Sequence, residues 1–229
     1  MKNIVIIGGS RGIGSALAES LSQSHNVLVL ARSVEKLVDL KKKCNTGNLK
    51  FGTLDLKAEN LKQTLHNSIS ECFDSVDVLI NNAGFLINKP VLELTPDEIN
   101  TTLQTNVSGL LQSCQVTIPF MTNGGHIVNT GSMGGFQGSS KFPGLSIYSA
   151  SKSAVAGLSE CLAEELKELD IQVNCLALGA VQTEMLEEAF PGYQAPITAQ
   201  EMAEFIADFS LNANKWINGK VIPVSISTP

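Results

Sequence analysis

A doubly wound α/β sandwich, with one parallel sheet covered by helices on both faces, is the fold the sequence predicts. Three observations lead to it. Short Val- and Ile-rich runs alternate with segments whose apolar residues recur at helical spacing. Several of the short runs are apolar on both faces, as a parallel sheet buried on each side requires. A glycine-rich turn joins the first run to the first helical segment, and right-handed crossovers of this length leave few other arrangements.

The first strand is read at Asn3 to Ile7, followed by the turn GGSRGIG and a helix from Ile13 to Ser24. A second strand, Asn26 to Ala31, leads into a helix over Ser33 to Lys43, and a third, Asn48 to Leu54, into one over Ala58 to Phe73. The fourth strand, Asp77 to Ile80, precedes a helical segment from Ile99 to Met121. After the fifth, His126 to Thr130, comes an irregular stretch, Gly131 to Ile147, and then a long helix from Tyr148 to Leu169. In that helix Ala150, Ala154, Leu158, Leu162, Leu166 and Leu169 fall on one stripe, the face expected to be buried. The sixth strand, Ile171 to Ala177, runs into a second irregular stretch, Gly179 to Ile197, and the seventh is Lys220 to Val224. Both irregular stretches follow strands, and open α/β sheets bind ligands beyond their strands' carboxyl ends, so substrate is expected there. No repeat, low-complexity tract or linker interrupts the alternation, so residues 1–229 read as one domain.

Composition narrows the function. Of 229 residues, 43% are hydrophobic and 17% charged, enough to bury a core in an ordinary soluble protein. Lys plus Arg number 16 against 22 for Asp plus Glu, a net charge of −6, with no basic cluster, which argues against nucleic acid or an anionic membrane as partner. The five cysteines (Cys44, Cys72, Cys114, Cys161, Cys175) are scattered and form no C-x-x-C pair, so buried free thiols in a reducing compartment are expected, and no metal site. The amino terminus lacks the pattern of a signal peptide, and no segment is apolar enough to span a bilayer; a cytoplasmic protein is expected.

Two short patterns carry chemistry. In GGSRGIG the residues Gly8, Ser10, Arg11, Gly12, Ile13 and Gly14 form a turn into a helix, where glycine lets backbone amides approach a ligand and the helix start favours negative charge. Such a turn suits a pyrophosphate. Dinucleotide sites for NAD place an acid at the end of the second strand, about 20 residues on, to hold the ribose 2′-hydroxyl. Arg32 stands there instead, in LARS. Arg32 and Arg11 together suit a 2′-phosphate, which favours NADP(H) over NAD(H); a solvated Arg32 and a helix-capping Arg11 are the plainer alternative. The second pattern is Tyr148 with Lys152 four residues later, a spacing that stacks the two on one helix face and brings an ammonium beside a phenol. Alone it is common.

Taken together, GGSRGIG at Gly8, DL at Asp55, NNAG at Asn81 to Gly84, NVSG at Asn106, GS at Ser132, YSASK at Tyr148 and NGKVIPV near the carboxyl end resemble a classical short-chain dehydrogenase/reductase. The likeness runs along essentially the whole chain. It implies a single Rossmann-type domain and hydride transfer between a nicotinamide and a carbonyl or alcohol. Under it Tyr148 is the general acid/base, Lys152 lowers the phenol's pKa and holds the nicotinamide ribose, Ser132 orients the substrate oxygen, and Asn106 anchors a proton-relaying water. Asp55 and Leu56 would contact adenine; Asn81, Ala83 and Gly84 would form the turn near the adenosine ribose, with Asn82 either a contact or a stabiliser of the turn. Val181 and Thr183 would hold the carboxamide, and a homo-dimer or homo-tetramer would form through the helices at Ile99 to Met121 and Tyr148 to Leu169, where Ala154 and Gly157 permit close approach.

The chain departs from the family in three places. Leu178-Gly179 replaces the usual Pro-Gly, Ser225-Ile226-Ser227 replaces Asp-Gly-Gly, and the longer interval before Tyr148 holds Ser139, Ser140 and Ser146 as rivals to Ser132. A short lid near residues 184–198 offers Met185, Leu186, Phe190 and Tyr193 either as an apolar wall or as a helix packed on the body. The expectation is an NADP(H)-dependent reductase of small or extended carbonyl compounds. An NAD-dependent alcohol dehydrogenase and a dinucleotide sensor without chemistry are the alternatives.

Overall fold

The computed structural model describes residues 1–44 and 47–226. Seven strands, β1 (Asn3–Ile7), β2 (Asn26–Ala31), β3 (Leu49–Thr53), β4 (Val78–Asn81), β5 (Gly125–Thr130), β6 (Ile171–Leu178) and β7 (Val221–Val224), form one sheet. Their order is β3-β2-β1-β4-β5-β6-β7, and every pairing is parallel. Helices α1 (Gly12–Leu21), α2 (Val34–Lys43), α3 (Leu61–Ser70), α4 (Pro96–Leu103), α5 (Gly109–Thr117), α6 (Ser146–Glu165), α7 (Glu184–Ala189) and α8 (Ala199–Asn212) complete the chain. The strand order reverses between β1 and β4, and the main cavity is lined by residues at or beyond the ends of β1, β4, β5 and β6.

The two-sided burial follows from strand alternation. Ile4 and Ile6 point to one face, where Leu17, Leu37, Met202 and Ile206 pack; Val5 and Ile7 point to the other, against Leu65, Leu110, Val155 and Leu162. These four residues of β1 are at most 2% exposed, which is why Ile4 to Ile7 read as an unbroken apolar run.

Three features differ from the sequence expectation. The segment Ile99 to Met121 is two helices, α4 and α5, separated by a π-helical turn over Gln104–Ser108. The irregular stretch after β6 contains α7, and α8 follows it, started by a capping box in which Thr198 Oγ1 accepts from the Glu201 amide at 3.2 Å. In α6 the buried residues are Ser151, Lys152, Val155, Ser159, Leu162 and Ala163, so the predicted stripe is buried only at Leu162 and, just past the helix, Leu166. Ala150 and Leu169 are exposed, because the inward face must carry Ser151 and Lys152 to the strand ends. Of the altered tail, Ser227 lies outside the described residues.

Candidate active site

The glycine turn is held at very short range by NNAG. Gly8 has φ +89°, and a Cβ there would lie 2.4 Å from Ala83 Cα; a Cβ on Gly14 would lie 2.1 Å from Gly8 O. Asn82 Nδ2 donates to Gly8 O at 2.7 Å, and the amides of Asn82 and Ala83 both donate to Ile7 O. Asn82 thus stabilises the turn. Asn81 faces the sheet interior: it is 3% exposed, and its Nδ2 donates to Asn129 Oδ1 at 2.8 Å. Its side chain therefore supports the sheet, and its carbonyl accepts from Thr130 Oγ1 at 3.0 Å. Asp55 Oδ1 accepts from the Lys57 amide at 3.0 Å, while Leu56 is buried against Gly109, where an added Cβ would stand 2.7 Å from Leu56 Cβ.

Tyr148 lies in the first turn of α6 and Lys152 one turn on, with Nζ 5.9 Å from the ring centre. The ammonium donates to Thr130 O, at the end of β5, at 2.7 Å. Burial depresses the Lys152 pKa from its usual 10.5 to about 8. Burial also pushes the Tyr148 phenol above its ordinary value, against a smaller downward pull from the Ser132 side chain. Desolvation of the phenolate is thus the largest influence on Tyr148, with Lys152 Nζ engaged on Thr130 O.

Asn106 sits in the π-helical turn, where its side chain bridges two segments. Oδ1 accepts from the Phe85 amide at 2.7 Å, and Nδ2 donates to Phe85 O and to Ser151 Oγ, each at 2.9 Å. Ser151 Oγ in turn donates to Tyr148 O at 2.7 Å, so Asn106 fixes the start of α6 relative to NNAG. Gly84 lies between them; a Cβ there would be 3.6 Å from Lys152 Nζ and 3.8 Å from Asn106 Oδ1. Ser132 caps a short 3-10 turn, accepting from the Gly134 amide at 3.1 Å, and lines the same cavity as Tyr148. Its rivals do not: Ser139 Oγ donates to Phe136 O at 2.9 Å, and Ser140 and Ser146 are exposed.

The cavity holds about 390 Å³. Thr130, Ser132, Tyr148 and Lys152 line it together with Gly12, Ile13, Gly84, Val181 and Thr183. Met133, Leu145, Met185, Leu186, Phe190 and Tyr193 form an apolar wall, so the lid segment contributes α7 and the residues after it to the cavity. Thr183 Oγ1 accepts from the Leu186 amide at 3.3 Å, starting α7. Gly8, Ser10, Gly14, Arg32, Asp55, Leu56, Ala83 and Asn106 lie outside this cavity lining. Arg32, just past β2, is exposed, and no hydrogen bond or ion pair engages its side chain among the described residues. Arg11 is engaged by Glu188 of α7, a partner 177 residues away that no local pattern announces. Among the described residues no group of His, Cys, Asp and Glu is arranged to hold a metal ion, and no helix is long and apolar enough to cross a membrane.

Comparison with known proteins places this geometry. The sequence pattern described as "short chain dehydrogenase" matches residues 2–194. Carbonyl reductase family member 4 of Xenopus tropicalis is 34% identical over 233 residues, covering 97% of this chain and 96% of that protein. An uncharacterized oxidoreductase of Staphylococcus epidermidis is 26% identical over 220 residues, covering 95% and 94%. Among solved structures, a short-chain dehydrogenase/reductase of Serratia marcescens superposes with a TM-score of 0.87 at 26% identity, covering 97% of this chain and 96% of that one. ElxO with NADP bound gives 0.85 at 29% identity, covering 98% and 97%.

Proposed function

The chain belongs to the short-chain dehydrogenase family of nicotinamide-dependent oxidoreductases, and from that premise we propose that it reduces uncharged carbonyl compounds with NADP(H). One observation carries the reading: a phenol, a serine hydroxyl and an ammonium converge on one cavity whose far wall is apolar.

The residues fit a dinucleotide. The glycine turn is a cradle that side chains would fill, no carboxylate ends β2, and Arg32 is an uncompensated cation where a 2′-phosphate would sit. Bound there, the reduced cofactor would supply the hydride. The rest falls to the chain. Tyr148 would donate its phenolic proton to the carbonyl oxygen as charge develops on it, and Ser132 would hold that oxygen by a second hydrogen bond. A raised phenol pKa keeps Tyr148 protonated near neutral pH, the form a proton donor needs. Lys152, held by Thr130 O, would offer a further N–H to the nicotinamide ribose and place its positive charge beside the phenol. The wall from Met133 to Tyr193 would exclude water and accept an apolar substituent.

NADPH consumption by purified protein, followed with a series of neutral ketones and aldehydes, tests this. Tyr148→Phe should cut turnover by at least about a hundredfold, the low end for a general acid, with NADPH binding kept. Full turnover in that variant would remove Tyr148 from the chemistry. A cytoplasmic homo-dimer or homo-tetramer joined through α6 is part of the same proposal; its outer face carries the half-exposed Ala154 and Leu158 and the exposed Gly157, and light scattering decides it.

A further inference from the structure

Arg11 leaves the glycine turn and meets the lid. Its Nη1 contacts Glu188 Oε1 and its Nη2 lies 3.2 Å from Oε2, so the guanidinium fork is closed on a carboxylate. Glu184, one turn earlier in α7, adds its charge to the same guanidinium, and its Oε2 would lie 3.7 Å from a Cβ on Gly12. Both carboxylates therefore face the turn that is shaped for phosphate. On the other side Asn88 Nδ2 donates to Ala189 O at 2.9 Å, fastening the end of α7 to the loop after β4.

A planar guanidinium binds carboxylate and phosphate through the same two-pronged geometry, so Glu188 stands on Arg11 where a phosphate would. The pair lowers the Glu188 pKa and raises that of Arg11, each chiefly through their mutual hydrogen bond. It is also only moderately enclosed, with side chains 34% and 62% exposed, so it is weak enough to be exchanged.

We propose that Glu188 is a specificity-determining residue for the cofactor: its carboxylate competes with the 2′-phosphate of NADP(H) for Arg11, so that phosphate binding and release of α7 are one exchange. The inference rests on the reading that Arg11 and Arg32 receive that phosphate. A ligand moves an equilibrium only by binding one state better. The adenosine half of NADP(H) carries the second phosphate that contests Arg11; that of NAD(H) does not, and leaves α7 fastened.

Calorimetric titration of wild type, Glu188→Gln, Arg11→Gln and the double variant with adenosine 2′,5′-bisphosphate and adenosine 5′-monophosphate tests it, with thermal melts confirming that each is folded. Glu188→Gln should tighten the bisphosphate about three- to fivefold, the range of an exposed ion pair, leave the monophosphate unchanged, and have no effect once Arg11 is gone. Hydrogen exchange at residues 184–190 should quicken when wild type binds the bisphosphate. Unchanged or weaker bisphosphate binding in Glu188→Gln, or equal tightening of both nucleotides, overturns the inference. Equal affinity of wild type for the two nucleotides would instead overturn the NADP(H) reading, and this inference with it.

Discussion

Replacing Lys152 by methionine should make the protein more stable at pH 7 while removing its activity. Lys152 is 5% exposed and its pKa falls from 10.5 to about 8, which at about 1.4 kcal/mol per pH unit means the fold disfavours the charged form by about 3 kcal/mol. Methionine fills the same channel without charge but leaves Thr130 O without its 2.7 Å partner, a loss of about 1–2 kcal/mol. The net expectation is a gain of about 1–2 kcal/mol at pH 7. Its pH dependence has a definite sign. Between pH 8 and 10.5 the unfolded chain keeps the proton and the folded protein has lost it, so wild-type stability climbs with pH through that window. The advantage of the variant must shrink accordingly. Urea unfolding of both proteins at pH 7 and pH 9.5, without cofactor, measures it. A variant less stable than wild type at pH 7, by the same amount at both values, would refute the claim that burial penalises the ammonium.

Two further outcomes follow from the cofactor turn and its flank. Gly8→Ala combines a left-handed backbone with a Cβ 2.4 Å from Ala83 Cα, backbone against backbone, and should cost about 2–4 kcal/mol in urea unfolding; a cost below about 1 kcal/mol would contradict the packing. Arg32→Ala should weaken NADPH about tenfold or more, the loss of one charge-assisted contact, and change NADH less than twofold, read by fluorescence titration.

The strands were legible because residues such as Ile4 to Ile7 are apolar on both faces, a pattern that only a doubly covered sheet makes necessary. The glycine turn and the Tyr148–Lys152 pair were legible because each is local: neighbours within one turn decide where the groups point. What stayed hidden depends on distant contacts. Glu188 reaches Arg11 across 177 residues, and Lys152 finds Thr130 O at the end of a strand it does not adjoin in sequence. The buried face of α6 departs from its apolar stripe for the same reason, since Ser151 and Ser159 are met there by Asn106 and Asn129. The start of α8 was available in Thr198 and Glu201, a capping box preceding the apolar Met202 and Ile206.

The π-helical turn at Gln104–Ser108 sets a limit on how this protein tolerates change in chain length. Such a turn accommodates one residue more than an α-helical one, so everything after it is rotated by about 100° from where an unbroken helix would point it. Deleting a single residue between positions 104 and 108 would restore the regular repeat. It would leave Leu110 and Cys114 on the sheet and Gly109 against Leu56, and remove only the turn that carries Asn106 to the Phe85 backbone. Point substitutions on the outer side of this helix pair should pass unnoticed, whereas a frame-preserving loss of one codon there should break the Asn106 bridge between Phe85 and Ser151 while the packing of α5 survives.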